Sequence, residues 1–532
     1  MKRVALISNG DFRDAVGEAC WPKQEETLGE VEAAFREIGA ASYRANPYKK
    51  GKRHGFITTQ AEGCRVFSRI DGGAPLVVVL SSWAWAHHVA SSLKLHEGPI
   101  LLLGNFDGTW PGLVSLLNHS ATLERMGIVH SRIWTDSFAR DGLFIRNLKL
   151  WAEKGRIDYP DGHVTSLDDL HVPERAAGFG RRLAADILKK KRILGQMDPG
   201  CMGMLNAVFS PEKLAAIGMP VELLSQSDLL AEMALVPDET ADRHFRWLKK
   251  RGAVFHWGDD PRAGLTEGQV IEQMRMYEAA GIIHERYGLS AIGIPYQYGL
   301  VRSTCASDLP EGMLNNCERP DIVSPGDGGV INKGRPIIHF NEGDVGSAVP
   351  QVLMHDILVQ KKLPPETTLH DIRWGGLWEG HFVWVFEISG GGPPAHWGGW
   401  KNTHVHRQPA MYFPKGGGTC SGLSKPGIIT WARFYERFGE VGMDLGAGEV
   451  VELPGDEVER RLGSTTREWP VANVHIPGYG RDELMSTHRS NHITICYGYV
   501  LPELAAAAAA LGMPVNVVGD AREEFQQITR KK

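Results

Sequence analysis

Three short segments carry the residue types that could do chemistry. Asn341-Glu-Gly-Asp344 sets two carboxylates between an apolar run at 336–340 and a helical pattern from residue 347. In α/β sheets the carboxyl end of a strand opens onto the crevice where ligands bind. His370-Asp-Ile-Arg-Trp374 offers Asp371, and Ser490-Asn-His-Ile-Thr-Ile-Cys-Tyr497 puts His492 at the mouth of an alternating strand. Two carboxylates and one imidazole suit Mn²⁺, Fe²⁺, Co²⁺ or Mg²⁺ better than a thiol-seeking ion. Such a set matches the needs of a hydrogen shift between C1 and C2 of a sugar. That reaction requires a base for a weakly acidic C–H, an acid for the neighbouring carbon, and an electrophile for the enediol oxygens.

Each segment also has an ordinary structural reading. Asp344 or Glu342 could cap a helix N-terminus. Asp371 with Arg373 could be a surface ion pair, and a strand-edge histidine is more often structural than functional. Other groupings compete. Thr403-His-Val-His406 puts two imidazoles on one strand face, with His396 nearby, as in the opening of many zinc and iron sites. Gly418-Thr-Cys-Ser-Gly422 could mimic a nucleophile elbow with Cys420 at its apex, the mark of a hydrolase. Arg407 and Lys415 could together hold an anion.

The elements that must position these residues follow from hydropathy. Apolar runs at 4–8, 76–81 and 100–103 alternate with helical patterns at 26–38 and 113–126, a βαβ rhythm that predicts a parallel sheet. Turn-rich sequence at 150–174 marks a boundary. Helices at 227–235 and 266–287, with strands at 291–294 and 336–340, predict a second α/β unit. A helix near 352–360 follows. Beyond it, strands at 381–388, 451–453, 471–476 and 492–497 between Gly-rich turns predict a β-rich region. An alanine-rich helix at 502–511 and a strand at 514–518 come late, and the Gly- and Pro-rich stretch 389–399 reads as a surface or site loop. The fold class expected is α/β, with two N-terminal α/β domains with parallel sheets (1–170 and 171–350) followed by a β-rich C-terminal domain (351–532).

Composition narrows the class of function. The 532 residues are 42% hydrophobic and 23% charged, near the globular average. A net charge of -5 without a dense basic run argues against nucleic acid as a partner. Seven scattered cysteines without CxxC spacing fit reduced thiols. The first apolar run is too short for a signal segment, and nowhere do about 18 uncharged apolar residues run together. The expectation is a cytoplasmic protein with no membrane partner.

Several segments, in order, resemble the L-fucose isomerase family: Asn341-Glu-Gly-Asp, His370-Asp-Ile-Arg, Tyr412-Phe-Pro-Lys-Gly-Gly-Gly418, Glu449-Val-Val-Glu-Leu-Pro454, Arg467-Glu-Trp-Pro470 and Ser490-Asn-His492. Upstream, Ala291-Ile-Gly-Ile-Pro-Tyr-Gln297, Gly203-Met-Leu-Asn-Ala-Val-Phe209 and Thr109-Trp-Pro-Gly112 add to it. The resemblance implies a homo-oligomer, hexameric or trimeric, that uses Mn²⁺ (or Co²⁺, Fe²⁺ or Mg²⁺) on a monosaccharide. By motif match Glu342, Asp371 and His492 are the metal ligands, and Glu342 and Asp371 the catalytic acid/base pair. Gln297, Ser389, Tyr412, Trp469 and Asn491 fall on substrate-binding positions, as does Trp83, which competes with Trp85 for the place of the aromatic that family members lend to a neighbouring subunit. Departures from the family pattern lie in 389–400, in 418–422 and near Arg13. They leave open a paralogue acting on an anionic or sulfonated C6-modified aldose, or a non-catalytic sugar-binding protein on the same fold.

Overall fold

The computed structural model describes residues 3–138 and 140–521; the outer limits of the first and last expected domains lie outside the described residues. Three sheets organise the chain, and the α/β class with a β-rich C-terminal region is what they form. In the first sheet, strands Ser42–Arg44, Val4–Ser8, Leu76–Leu80, Ile100–Asn105 and Ser131–Thr135 lie side by side in that order, all parallel. Their residues Leu76–Leu80 and Ile100–Leu103 are buried on both faces, as strands sandwiched between helices must be. The order reverses between Val4–Ser8 and Leu76–Leu80, and a crevice opens beyond such a reversal.

The second sheet is also parallel, in the order Ile338–His339, Ala291–Gly293, Leu194–Met197, Val221–Leu224. It reverses between Leu194–Met197 and Ala291–Gly293. Helix Glu267–Arg286 packs on it, started by a capping box in which Thr266 and Gln269 satisfy each other's backbone N–H groups. Helix Val345–Lys361 is apolar on nearly all sides because it is wedged between this sheet and the third one.

The third sheet closes on itself. Strands Gly427–Arg437, His492–Tyr497, Thr367–Trp378, His381–Glu387, Val471–His475 and Glu440–Val450 pair antiparallel in that order, and the last returns to the first. Val515–Val518 adds alongside Glu440–Val450, and Val164–Ser166, from the first third of the chain, pairs in turn with Val515–Val518. The alanine-rich helix Leu501–Ala510 crosses Glu174–Lys190 so closely that a Cβ on Gly180 would come within 2.5 Å of Ala506 backbone.

Two expectations need correction. The strand read at 451–453 is irregular; the real strand is Glu440–Val450, which the pattern hid behind its glycines. Gly442 and Gly446 face Tyr435 and Trp431 across the ladder, and a Cβ on either would lie 2.6 or 2.7 Å from the opposing ring substituents. Bulky aromatics on one strand thus require glycine on the other. Of the two readings of 389–399, the surface loop fails, since most of the stretch is buried with Trp397 in the core, and the site loop stands, since Ser389 lines the cleft. Among the described residues no helix is long and apolar enough to cross a membrane.

Candidate functional site

The loops that leave the strands at both reversal points face one another across a cleft of about 680 Å³. From the first sheet come Arg13 and Trp83; from the second come Met202, Tyr296, Asn341 and Glu342; the closed sheet adds Asp371 and Arg373. The segment 389–413 closes the rim with Ser389, Tyr412 and Phe413, and Trp469 stands beside them.

At the floor, Asp371 and His492 are directly opposed across neighbouring strands. His492 Nε2 lies 3.3 Å from Asp371 Oδ1 and 3.5 Å from Glu342 Oε2. That nitrogen is buried and has no hydrogen-bond partner. The other ring nitrogen, Nδ1, donates to Asp344 Oδ2 at 2.7 Å. Asp344 is held as an acceptor: burial would raise its pKa, but the charge of Arg433 and the bond from His492 outweigh burial and hold it well below the usual carboxylate range. With Nδ1 bound to Asp344, Nε2 is the ring nitrogen that faces the two carboxylates. Fixing a histidine from behind by a carboxylate is the usual arrangement around a bound metal, and Glu342, Asp371 and His492 fit a divalent cation on that ground.

Local backbone geometry serves the same end. Glu342 sits at φ 56°, ψ 15°, and Met202, also in the cleft wall, at φ 44°, ψ 31°. Left-handed conformations at non-glycine residues cost about 1–3 kcal/mol each and persist where surrounding structure imposes them, commonly at functional sites. Asp344, not Glu342, caps helix Val345–Lys361, accepting from Gly346 N–H at 2.9 Å.

Charge accumulates around Glu342. Its pKa is raised, by burial first and with the charge of Asp371 adding, while His492 and Ser389 oppose the rise. Asp308 and Glu311, on helix Asp308–Leu314, were missed from sequence, yet both line the cleft. Burial pushes the Glu311 carboxyl up to about 8, against hydrogen bonds from Ser307 and Asn341, and pushes Asp308 well above the ordinary range, with the charges of Glu311 and Glu342 adding. Burial disfavours a charged His492, but Asp344, Asp371 and Glu342 outweigh it and lift its pKa well above the ordinary value.

The remaining predicted positions divide into wall and support. Trp83, Ser389, Tyr412 and Trp469 line the cleft, Trp83 in its own chain. Ser389 Oγ donates to Glu342 Oε1 at 2.9 Å. Tyr412 and Trp469 form a tilted pair with centroids 6.3 Å apart, and Trp469 Nε1 donates to Gln408 Oε1 at 2.7 Å. Asn491 donates to Asp371 Oδ1 at 3.3 Å. Gln297 is buried and accepts from Met202 N–H at 2.6 Å, so it braces the cleft wall.

The competing readings fare differently. Asp371 and Arg373 are no surface pair: Arg373 is buried against Glu387, 3.4 Å away, and donates to the backbone of Gly108 and Thr109. Cys420 is no nucleophile elbow, since the next element after it is the strand Gly427–Arg437 rather than a helix, and its buried thiol is pushed up by burial and by Asp308. Arg407 spends its donors on the carbonyls of Pro261, Gln408 and Phe413. His396 is buried against Tyr497, apart from His404 and His406.

No curated protein matches the chain. Residues 401–518, which carry Tyr412, Trp469, Asn491 and His492, match the family model described as L-fucose isomerase, C-terminal domain, and this match supports the chain's membership of the L-fucose isomerase family.

Proposed function

We propose that the chain is a metal-dependent aldose–ketose isomerase that interconverts an aldose and its ketose through an enediol, with Glu342, Asp371 and His492 holding a divalent cation such as Mn²⁺. The observation that carries this reading is the buried His492 Nε2 atom, which faces Asp371 at 3.3 Å and Glu342 at 3.5 Å while Asp344 holds the opposite edge of the ring. When bound, the cation supplies an electrophile for the oxygens at sugar C1 and C2.

The chain's own groups supply the rest. Glu342 and Asp371 are the proton carriers: one takes the C2 proton and the other serves the oxygens or C1, carboxylates being suited to both tasks. Ser389 holds Glu342 and Asn491 holds Asp371, fixing each oxygen before substrate enters. Burial raises the Glu311 carboxyl and so favours its neutral form, which lessens the charge set against Glu342. Tyr412 and Trp469 offer an apolar wall for the C–H face of a sugar ring or chain. A neutral sugar is favoured over one with an anionic C6 group, because each cleft arginine already has a carboxylate beside it: Asp11 for Arg13 and Glu387 for Arg373.

A panel of aldoses with Mn²⁺-loaded protein, followed by NMR for ketose, tests the activity. Glu342→Gln separates the isomerase from a non-catalytic binder. The isomerase reading expects turnover lost with sugar affinity retained; a wild-type protein that binds an aldose and never converts it, alongside an equally binding variant, supports the binder instead.

A further inference from the structure

We propose that His256, His404 and His406 form a second divalent-cation site, for a transition ion of the Zn²⁺, Cu²⁺ or Ni²⁺ class, on a face of the chain separate from the cleft. Short strand His404–Val405 runs parallel to Val254–Phe255, with Val254 N–H donating to Thr403 O at 2.9 Å and His256 N–H donating to Val405 O at 3.0 Å. This pairing brings His256 beside two imidazoles that alternate on one strand face. The donor atoms of the three rings lie within 4.8 Å of one another, and His256 Nε2 is 2.9 Å from His404 Nδ1. Among the described residues no other group of three such side chains comes as close.

The chemistry of the set is distinct from that of the cleft. All three donors are nitrogen, with no carboxylate among them, which selects borderline transition ions over Mg²⁺ or Mn²⁺. Three histidines leave a fourth position to water, as in tetrahedral sites that remain open. The rings are ready to coordinate because a metal needs neutral imidazole: burial, together with His256 and His404, pushes His406 down to about 4, and burial with His404 lowers His256. His256 and His406 stack with centroids 3.9 Å apart and planes 13° from parallel. An ion lies in the plane of each ring that binds it, so coordination requires the rings to fan apart about their side-chain bonds. His256 and His404 are exposed and have room to do so.

The consequence is a cross-link between the second α/β region and the segment leading to the cleft rim. That segment continues from His406 to Gln408, which donates to Ser389 O at 3.0 Å and accepts from Trp469, and on to Tyr412. An ion at the histidines therefore ties down the strand from which the rim is built.

The test is a Zn²⁺ count on metal-stripped full-length protein, by equilibrium dialysis and elemental analysis, beside melting temperature with and without Zn²⁺. Wild type is expected to hold one more Zn²⁺ per chain than His404→Ala/His406→Ala, and His256→Ala, on the other segment, to lose the same equivalent. Zn²⁺ should raise the melting temperature of wild type more than that of either variant, since an ion that binds only the folded state stabilises it. Glu342→Gln should retain the histidine-bound equivalent, so the outcome is independent of the cleft. Unchanged circular dichroism of the metal-free variants guards against misfolding. Equal Zn²⁺ counts in wild type and both histidine variants would overturn the proposal.

Discussion

The two side-chain clusters proposed above to hold a cation are built on opposite principles. His492 is buried and Glu342 and Asp371 are largely so, their side chains 1%, 11% and 15% exposed, and the set carries charge that must be matched. His256 and His404 are exposed, and their cluster contains no carboxylate. In the first, every group is fixed from behind: Ser389 on Glu342, Asn491 on Asp371, Asp344 on His492. In the second, backbone pairing aligns the rings: the strand His404–Val405 lies between Val254–Phe255 and the residues Thr419 and Ser421. Burial of carboxylates creates a demand that a proton or a cation must meet. Exposed neutral imidazoles make no such demand and can be filled or empty at little cost to the fold. Catalytic positioning belongs with the first kind of site, and reversible binding with the second.

The strongest way to break this contrast is to disable one cluster and read both. Glu342→Gln is expected to lower kcat by about 10²–10⁴-fold, the range for removing a general acid or base, while His404→Ala leaves kcat within twofold in metal-defined buffer; steady-state assays with the best aldose decide it. Asp344→Asn comes next. It strands the buried Arg433 guanidinium, which contacts both Asp344 oxygens, and is expected to cost about 3–5 kcal/mol of stability in urea unfolding. Metal affinity in the cleft should fall about 10–100-fold, as for other losses of a group that orients a ligand. Trp469→Phe keeps the ring but leaves the buried Gln408 oxygen without its donor, a loss of about 1–3 kcal/mol. The smallest effect belongs to His404→Ala in metal-free protein, within about 0.5 kcal/mol of wild type, because a surface substitution away from packing changes little.

Legibility in the sequence followed the same divide. The parallel strands of the first sheet, buried on both faces, stand out as continuous apolar runs, and the three floor residues lie in short segments bounded by turns. The long strands Thr367–Trp378 and Glu440–Val450 were not read, since the glycines they need opposite Phe382, Trp431 and Tyr435 erase β-pattern; Gly427–Arg437, with no interior glycine, was missed all the same. Asp308 and Glu311 could have been suspected from their three-residue spacing, which puts both on one helix face, but nothing in that spacing reveals that the face is buried. His256 was invisible as a partner of His404, 148 residues away, because a two-residue strand leaves no periodic signal. Asp371 looked like half of a surface pair with Arg373; only the closure of the sheet, which sets Asp371 between His492 and Glu387, turns it into the cleft.

The central claim is that Glu342, Asp371 and His492 act together with a divalent cation to move a proton at sugar C2. Deuterium exchange in D₂O tests it most directly, comparing metal-stripped protein with the same sample reloaded with Mn²⁺. C2 deuterium is expected in the substrate aldose only after reloading, and none with Glu342→Gln. Equal exchange by stripped and reloaded protein, or full exchange by the variant, would contradict it.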